Sequence, residues 1–232
     1  RDWSSYGAAA VHRNRYDMSV SLADSNKAVI IAMTEGSVQG TVCVVTRSGT
    51  TMTAGDHVTY MSGNASSPYD NRHDQSIEPK VACGTVENQF LIIYRKNSAF
   101  GGQGAFARVG TIDGDTCTLG TETVVQSGSP SGDAPSEGCF IAADPNADNK
   151  YVVGWVDGSS PRAKVATVSG TKVSFGSNVQ YSSMPKGSAR ADIAFNPASS
   201  LGQFAFTNGQ YSASSPDICI SSYSGTTRGT HA

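Results

Sequence analysis

The sequence has few charged residues and lacks long apolar runs, which limits the classes of partner it can have. Charged side chains make up 16% of the 232 residues, and the net charge is −2, whereas about 25% charged residues is typical of soluble domains. No stretch approaches the length of a membrane-spanning apolar helix. Because neither sign of charge dominates, we expect neither a nucleic-acid partner nor insertion into a membrane.

The common motifs of catalysis are also missing. No G-x-S-x-G nucleophile elbow, EF-hand loop or sialidase-type Asp-box occurs. The histidines have no metal-ligand spacing: His12, His57, His73 and His231. Four carboxylates near the ends of predicted strands occupy different positions in different copies of the repeat described below: Asp24, Glu78, Asp144 and Asp192. We therefore expect them to cap turns rather than to form the facing pair of a glycosidase, and we expect no enzyme activity.

The five cysteines form no C-x-x-C pair, which argues against common zinc and redox motifs. They stand at positions 43, 83, 117, 139 and 219. We expect most of them to be small buried side chains in strands, and one or two disulfides are the alternative. Low charge, abundant hydroxyl residues and the sequon Asn64-Ala65-Ser66 favour a secreted protein that carries a glycan on Asn64.

A repeat of turn glycines is the strongest pattern in the sequence. Turn dipeptides recur at spacings of 65, 56 and 55 residues: Ser48-Gly49, Asp113-Gly114, Ser169-Gly170 and Ser224-Gly225. In the first three copies a second glycine follows six positions after the first: Gly55, Gly120 and Gly176. A hydroxyl residue stands two positions before each second glycine: Thr53, Thr118 and Ser174.

Each turn lies between two predicted strands, and two more strands precede them in every copy. The third strands read "GTVCVVT", "AFARVGT", "PRAKVAT" and "PDICISS", and none of these runs has a helical period. Units of four antiparallel strands and about 55 residues are typical of β-propeller blades, which bury their faces against neighbouring blades. We predict one all-β domain over residues 1–232, a four-bladed β-propeller; a β-sandwich is the alternative.

The N-terminal segment resembles a fourth strand that has no third strand before it. Ser5 and Gly7 fall where Ser174 and Gly176 fall in the third copy, and the fourth copy lacks a full fourth strand. We expect the segment to complete the last blade and to cover its exposed edge; donation to a neighbouring molecule, which would build a filament, is the alternative. The residues of this closure strand are Trp3, Ser5, Tyr6, Gly7 and Val11.

The third copy is the most regular, and residues 143–183 read "ADPNADNKYVVGWVDGSSPRAKVATVSGTKVSFGSNVQYSS". This pattern resembles the repeats of predicted tail-appendage proteins of marine bacteriophages and of secreted proteins of algae and other aquatic organisms. The resemblance covers nearly the whole chain as a pattern and is closest for residues 138–183, whereas copy two departs from it with the longer loop "KNSAFGGQG". It implies a propeller on an extracellular or virion surface, used for attachment or assembly, and it carries over no catalytic residue.

Two loops, "DPNADN" (144–149) and "YDNRHDQ" (69–75), gather the oxygen donors that a hard cation prefers. Calcium is therefore the one metal we consider, with Asp144, Asn146 and Asp148 as its candidate ligands. The same residue types form Asx turns without a metal, which is the alternative.

Glycans can be attached to the chain or bound by it. Trp155 lies in a predicted second strand and is expected in the core, whereas the exposed aromatic candidates do not repeat between blades: Trp3, Tyr69, Tyr211 and Tyr223. A lectin with one site in every blade is therefore not supported, although one irregular site stays open. The polar stretches 61–79 and 127–138 are rich in Ser and Pro, which favours attached glycan.

These observations predict a non-catalytic, secreted structural or attachment module. We expect a subunit of an extracellular appendage, fibril or virion surface that associates with itself or with neighbouring subunits, with strand exchange as a route to polymers. The alternative is a lectin-like propeller that recognises cell-surface sugars, and a divergent propeller glycosidase is the third interpretation.

Overall fold

The fold is that of a computed structural model. It describes residues 15–20, 24, 26–34, 39–62, 79–96, 104–127, 139–157, 160–180, 190–198, 204–209, 217–221, 223–224 and 227–228. All regular structure in these residues is β, and every strand pairing is antiparallel, as predicted. In this part of the chain no helix is long and apolar enough to cross a membrane.

Sheet 1 shows the plan that the first three sheets share. Strands β1 (Arg15–Val20), β2 (Lys27–Thr34) and β3 (Gln39–Ser48) form a meander. The predicted single fourth strand is divided into β4 (Thr51–Ala54) and β5 (Val58–Ser62), and both segments pair with β3. The sequence therefore predicted the order of the strands correctly but not the break in the fourth.

Sheet 2 repeats this plan, and most of β7 and β8 is buried. Its strands are β6 (Lys80–Cys83), β7 (Gln89–Lys96), β8 (Gly104–Asp113), β9 (Thr116–Leu119) and β10 (Thr123–Ser127). β9 and β10 both pair with β8. β7 carries an unbroken apolar run because both of its faces are covered, one by sheet 1 and the other by sheet 3.

Sheet 3 has the same five strands in the same order. They are β11 (Cys139–Ala143), β12 (Lys150–Asp157), β13 (Ser160–Ser169), β14 (Lys172–Phe175) and β15 (Val179–Gln180). β14 and β15 pair with β13, as the corresponding segments pair with β3 and β8.

Sheet 4 consists of three described strands, and a short strand pair follows it in the chain. β16 (Arg190–Phe195), β17 (Phe204–Gly209) and β18 (Asp217–Ser221) form the meander. β19 (Tyr223–Ser224) and β20 (Thr227–Arg228) flank the fourth turn glycine. The four copies found in the sequence thus correspond to four successive groups of strands.

The turns between third and fourth strands lie one residue later than predicted. Ser169 pairs with Lys172, so the two turn residues are Gly170 and Thr171 rather than Ser169 and Gly170. Sheets 1 and 2 show the same shift. The glycine at the first turn position has φ near +58° in all three sheets, as a type II′ turn requires, and an L side chain rarely adopts this conformation.

The break in each fourth strand is fixed by a repeated backbone hydrogen bond. The amide of the second glycine donates to a valine carbonyl in the third strand of its own sheet, at 2.8, 2.8 and 2.9 Å: Gly55 to Val44, Gly120 to Val109 and Gly176 to Val165. The hydroxyl residues noted in the sequence form cross-strand pairs beside it: Thr46 with Thr53, Thr111 with Thr118 and Thr167 with Ser174.

Among the described residues, the hydrophobic core lies between the sheets in three clusters. The first joins sheets 1 and 2, the second joins sheets 2 and 3, and the third joins sheets 3 and 4. Neighbouring residues of β7 alternate between clusters, so that Phe90 and Ile92 face sheet 1 whereas Leu91 and Ile93 face sheet 3. The sheets therefore pack face to face in chain order.

Candidate functional site

Every sheet has two ends that differ in chemistry. We call the end with the turns after the first and third strands the hairpin end. The opposite end, where the second strand leads to the third and the fourth leads to the next sheet, is the connection end. Residues that could act chemically are distributed over both ends, so we describe each end in turn.

At the hairpin end, the turn of one sheet lies against the break glycine of the preceding sheet. A Cβ atom on Gly55 would overlap the carbonyl oxygen of Asp115, and one on Gly120 would overlap that of Thr171. Asp115 and Thr171 are the second turn residues of sheets 2 and 3. We call this contact the glycine socket. It gives the six-residue glycine offset a physical cause, because only glycine lets the backbones approach so closely.

The first turns of sheets 1, 3 and 4 share an Asx turn, in which a side-chain oxygen accepts the N–H two residues later. Asp24 and Asp144 accept these bonds at 2.9 and 2.8 Å, and Asn196 does so at 3.0 Å. The expectation that Asp24 and Asp144 cap turns is therefore confirmed. Glu78 lies outside the described residues, and Asp192 lies in β16.

Polar side chains of these first turns also bridge successive sheets. At least one bond spans each junction: Lys27 Nζ to Asn88 Oδ1 at 3.4 Å, Thr85 Oγ1 to Asp148 Oδ1 at 2.6 Å, and Asn146 Nδ2 to the Pro197 carbonyl at 2.9 Å. The donors and acceptors differ from junction to junction, and so do their positions in the repeat. The hairpin end is therefore held by backbone contacts that repeat and by side-chain contacts that vary.

The three candidate calcium ligands hold partners within the protein. Asp144 is only 2% exposed and accepts the Asn146 amide, while Asp148 accepts the Thr85 hydroxyl. The Asn146 side-chain amide donates to sheet 4. Within the described ranges, no group of three or more His, Cys, Asp or Glu side chains could hold a metal ion. Through these bonds the acidic loop of sheet 3 is joined to sheets 2 and 4. Calcium binding stays a prediction.

Within the described part of the chain, the connection half of sheet 2 carries a dense group of charged and aromatic side chains. Glu122 accepts the Tyr94 hydroxyl at 2.5 Å and Lys96 Nζ at 2.6 Å. Arg108 Nε donates to the Tyr94 hydroxyl oxygen at 3.2 Å, and its Nη2 lies 3.9 Å from Glu122. We call Tyr94, Lys96, Arg108 and Glu122 the Glu122 cluster. One carboxylate balances two cations there.

Buried aromatic rings adjoin the Glu122 cluster. The Tyr60 and Tyr94 ring centroids lie 4.9 Å apart, Tyr94 and Phe106 lie 6.4 Å apart, and Lys96 Nζ is 4.7 Å from the centroid of Phe106. Tyr60, Tyr94 and Phe106 are 1%, 0% and 7% exposed. Sugar recognition uses an accessible ring face, and these three rings are already covered by protein.

The electrostatics of the cluster favour a fixed arrangement over proton transfer. Burial raises the pKa of Tyr94 above its ordinary value, and the bond to Glu122 raises it further, while Arg108 lowers it in part. The Tyr94 hydroxyl is therefore neutral and donates a hydrogen bond to a carboxylate whose two oxygens both have partners. A general acid or base needs an oxygen that faces a substrate, so this geometry favours a structural role.

The corresponding position of sheet 3 is built differently. Trp155 occupies the place of Tyr94 and is fully buried in the core, as predicted. Lys164 occupies the place of Arg108, donates to the Val125 carbonyl at 2.6 Å and lies 5.6 Å from the centroid of the Trp155 ring. The same repeat position thus carries different chemistry in sheets 2 and 3.

The sequence did not reveal the Glu122 cluster. Its members come from β7, β8 and the stretch before β10, without a fixed spacing that could mark them. The available signal was the departure of copy two from the repeat, in the loop "KNSAFGGQG" that begins with Lys96. That loop begins at the connection end, where Lys96 pairs with Gly104.

Four of the five cysteines, Cys43, Cys83, Cys117 and Cys139, have buried side chains, and Cys219 lies in β18. Burial raises the pKa of Cys43, and it raises the pKa values of Cys83 and Cys117 to about 11. The expectation of small buried side chains is confirmed for these four. Thiols in this state are mostly protonated at neutral pH and poor nucleophiles.

Several predicted residues lie outside the described part of the chain. They include the closure strand (Trp3, Ser5, Tyr6, Gly7 and Val11), the sequon residue Asn64, three histidines (His12, His73 and His231) and the aromatic candidates Tyr69 and Tyr211. Tyr223 lies in β19. His57 is exposed in the break between β4 and β5.

Comparison with known proteins does not add a family to these observations. No protein-family model matches the chain, and no curated protein matches it.

Proposed function

We propose that the four groups of strands are the blades of a four-bladed β-propeller that acts as a non-catalytic structural or attachment module. In this proposal the protein is a secreted subunit of an extracellular appendage, fibril or virion surface. The observation that carries it is the glycine socket, which joins sheet 1 to sheet 2 and sheet 2 to sheet 3 by the same backbone contact. A chain of identical joints suits a rigid scaffold built from stacked blades.

The chemical groups in the described residues support a structural role. Asp24 and Asp144 accept turn amides, Asp148 bridges two sheets, and Glu122 holds Tyr94 and Lys96. Each of these carboxylates thus has a bonding role in the fold. A glycosidase would instead require two carboxyl groups that face one sugar ring.

The connection end is the surface that we propose for attachment. β5 ends and β6 begins there, so the Ser- and Pro-rich stretch 63–78 leaves the sheets at this end, and 128–138 does so between β10 and β11. The sequon at Asn64 lies in the first stretch. Polar stretches of this composition suit contact with neighbouring subunits and attachment of glycans.

Secretion is compatible with the state of the cysteines. Buried thiols with raised pKa values oxidise slowly, since the thiolate is the reactive form. Cys43, Cys83 and Cys117 have these properties, so they can remain reduced in an oxidising compartment.

The proposal can be tested on the purified chain with and without its polar stretches. Negative-stain microscopy and light scattering should show ordered assemblies that form at rising concentration. Replacing residues 128–138 by a Gly-Ser linker of equal length should abolish them, with the circular dichroism and the melting temperature unchanged. The control is Thr51→Val, an exposed position in β4 at the hairpin end, which should assemble normally.

Other results would replace the proposal. Dispersed monomers that bind a defined sugar on a glycan array would favour the lectin-like alternative. Turnover of a glycoside that is lost in a carboxylate variant would establish an enzyme and overturn the proposal.

A further inference from the structure

The first strands of sheets 2 and 3 lie side by side, and each has an edge that does not belong to a strand pair. In the described part of the chain, β6 pairs with β7 alone and β11 pairs with β12 alone. Ile141 and Ala143 of β11 pack against the same cluster that contains Ala82 of β6. The unpaired edge of β11 therefore lies close to β6.

The alternation of each strand decides which amides point to its unpaired edge. The Gly84 amide donates to the Gln89 carbonyl of β7, and the Asp144 amide donates to the Lys150 carbonyl of β12. In an antiparallel pair, bonded residues alternate with residues whose N–H and C=O groups point away from the partner strand. Counted to the turn glycine of each sheet, two pairs of outward amides are equivalent: Val81 and Ile141, Cys83 and Ala143.

In β6, both outward amides bind side chains of β1. The Val81 amide donates to Asp17 Oδ2 at 2.9 Å, and the Cys83 amide donates to Ser19 Oγ at 3.0 Å. The other carboxylate oxygen, Asp17 Oδ1, lies 3.9 Å from Lys80 Nζ. A carboxylate beside a lysine is thus the group that the edge of β6 binds.

The residues that occupy the places of Asp17 and Ser19 in β6 have different chemistry. Counted through the second and third strands to the turn glycine, Lys80 corresponds to Asp17 and Ala82 corresponds to Ser19. An ammonium group and a methyl group cannot accept a hydrogen bond. Sheet 2 therefore does not supply β11 with the acceptors that sheet 1 supplies to β6.

The outward amides of β11 are consequently available to a ligand. Within the described ranges, neither a backbone carbonyl nor a side chain accepts the Ile141 or Ala143 amide, and both residues are only half-buried. The Lys80 side chain is 33% exposed, and its separation of 3.9 Å from Asp17 is too long for a hydrogen bond. Its ammonium group thus retains N–H donors for a second anion.

We propose that the edge of β11 beside Lys80 binds a small carboxylate. One carboxylate oxygen accepts the Ile141 amide and the other contacts the Lys80 ammonium, as the Asp17 carboxylate does at Val81. The Ala143 amide lies about 7 Å further along the strand, where a hydroxyl group of a larger ligand takes the part of Ser19. This inference is independent of the proposed function, since it rests on β1, β6 and β11 alone.

Amide chemical shifts test the site residue by residue. The ¹⁵N-labelled chain is titrated with sodium acetate at constant pH and ionic strength, and acetamide is the neutral control of the same shape. We expect a saturable shift of the Ile141 amide with a dissociation constant of roughly 1–10 mM, and none with acetamide. The Val81 amide is the internal control, because Asp17 already occupies it.

A pair of lysine variants tests the cation. Lys80→Met should weaken acetate binding at Ile141 at least tenfold, whereas Lys172→Met, an exposed position at the hairpin end, should leave it unchanged. Equal dissociation constants for the two variants would overturn the proposal. An Ile141 shift no larger than that of Val81, or an equal shift with acetamide, would overturn it as well.

A third variant tests the chemistry of the edge without changing Lys80. Asp17→Ala removes the carboxylate from the Val81 amide, so acetate should now shift Val81 in the same concentration range as Ile141. The control Asp17→Asn keeps an acceptor oxygen in that place, and its Val81 amide should not respond. A Val81 amide that is indifferent to acetate in Asp17→Ala would show that such an edge does not bind carboxylates, and the proposal would fail.

Discussion

The hairpin end and the connection end of the sheets are built on different principles. At the hairpin end, the same backbone contacts recur: type II′ turns, glycine sockets and glycine amides bonded to valine carbonyls. At the connection end, corresponding positions carry different side chains, such as Tyr94 with Arg108 in sheet 2 and Trp155 with Lys164 in sheet 3. Main-chain contacts that repeat hold the hairpin end, whereas side-chain contacts that differ between sheets hold the connection end.

This difference indicates where the protein can vary without losing its fold. Main-chain contacts depend on glycine at a few positions and tolerate most other changes nearby. Side-chain clusters such as the Glu122 cluster can be changed in one sheet without affecting the others, because each lies within one sheet or between two neighbouring sheets. We therefore expect binding properties to reside at the connection end, on a scaffold held by the hairpin end.

Alkaline pH should weaken both ends together and give the largest effect. Burial raises the pKa values of Tyr60, Tyr94 and Tyr151 above their ordinary value. A raised folded pKa means that the stability is fully present below the unfolded value of about 10 and is lost as pH rises above it. Each tyrosine then costs about 1.4 kcal/mol per pH unit, so we expect a loss of about 4 kcal/mol by pH 11.

Absorbance at 295 nm, followed together with circular dichroism, measures this loss. The buried tyrosines should ionise only as the sheets unfold. Complete titration of all nine tyrosines near pH 10 with the β spectrum intact would contradict their burial.

A substitution that adds one methyl group should weaken the hairpin end alone. Gly120→Ala places a Cβ atom on the Thr171 carbonyl, a backbone atom that cannot rotate away. Overpacking costs about 1–3 kcal/mol, and we expect about 3 kcal/mol here. The control Gly114→Ala has open space around its Cβ atom but a φ of 58°, so it should cost only about 1 kcal/mol. Urea denaturation gives both values, and a control as costly as Gly120→Ala would exclude the socket.

A substitution that removes one hydroxyl group should weaken the connection end alone. Tyr94→Phe leaves Glu122 without its 2.5 Å donor, and loss of a hydrogen bond to a charged group should cost about 2 kcal/mol. The matched control is Tyr60→Phe, since the buried Tyr60 hydroxyl has no hydrogen-bond partner within the described residues. That control should be neutral or slightly stabilising. Equal losses in the two variants would show that the hydrogen bond to Glu122 does not account for the effect.

The variable polar bonds of the hairpin end should have the smallest effect. Thr85→Val removes the hydroxyl that donates to Asp148 and keeps the shape of the side chain. We expect a loss of about 1 kcal/mol by thermal or urea unfolding. Thr51→Val, at an exposed position of β4, should change stability by less than about 0.5 kcal/mol. If the two variants differ in unfolding free energy by less than the experimental error, the bond between Thr85 and Asp148 does not contribute to stability.

Much of the fold was predictable because glycine spacing reports backbone geometry. The offset from Gly49 to Gly55 indicated a repeated hairpin between third and fourth strands, and the strand order followed from it, whereas the break at Gly55 was not predicted. The exact turn residues were shifted by one, since Ser169 and Gly170 favour a turn as strongly as Gly170 and Thr171 do. That Gly55 contacts the turn of the next sheet could not be inferred, because the two lie 60 residues apart in the sequence.

The candidate site was less predictable for a related reason. The Asx turn of Asp144 is local and was expected from the sequence, whereas its neighbour Asp148 bonds to Thr85 of another sheet. The Glu122 cluster joins side chains that only the pairing of β7, β8 and β10 brings together. Its residue types are common on protein surfaces, so no local pattern marks them.

Residue-resolved hydrogen exchange tests most directly whether the hairpin end repeats from sheet to sheet. The amides of Arg47, Ile112 and Val168 donate to the carbonyls of Asn26, Asn88 and Asn149 at 2.7, 2.8 and 2.9 Å. Since the three bonds occupy the same place in three equally built sheets, we predict protection factors within about tenfold of one another. Exchange of one of the three at the rate of an unfolded peptide, with the other two protected, would contradict a common main-chain scaffold.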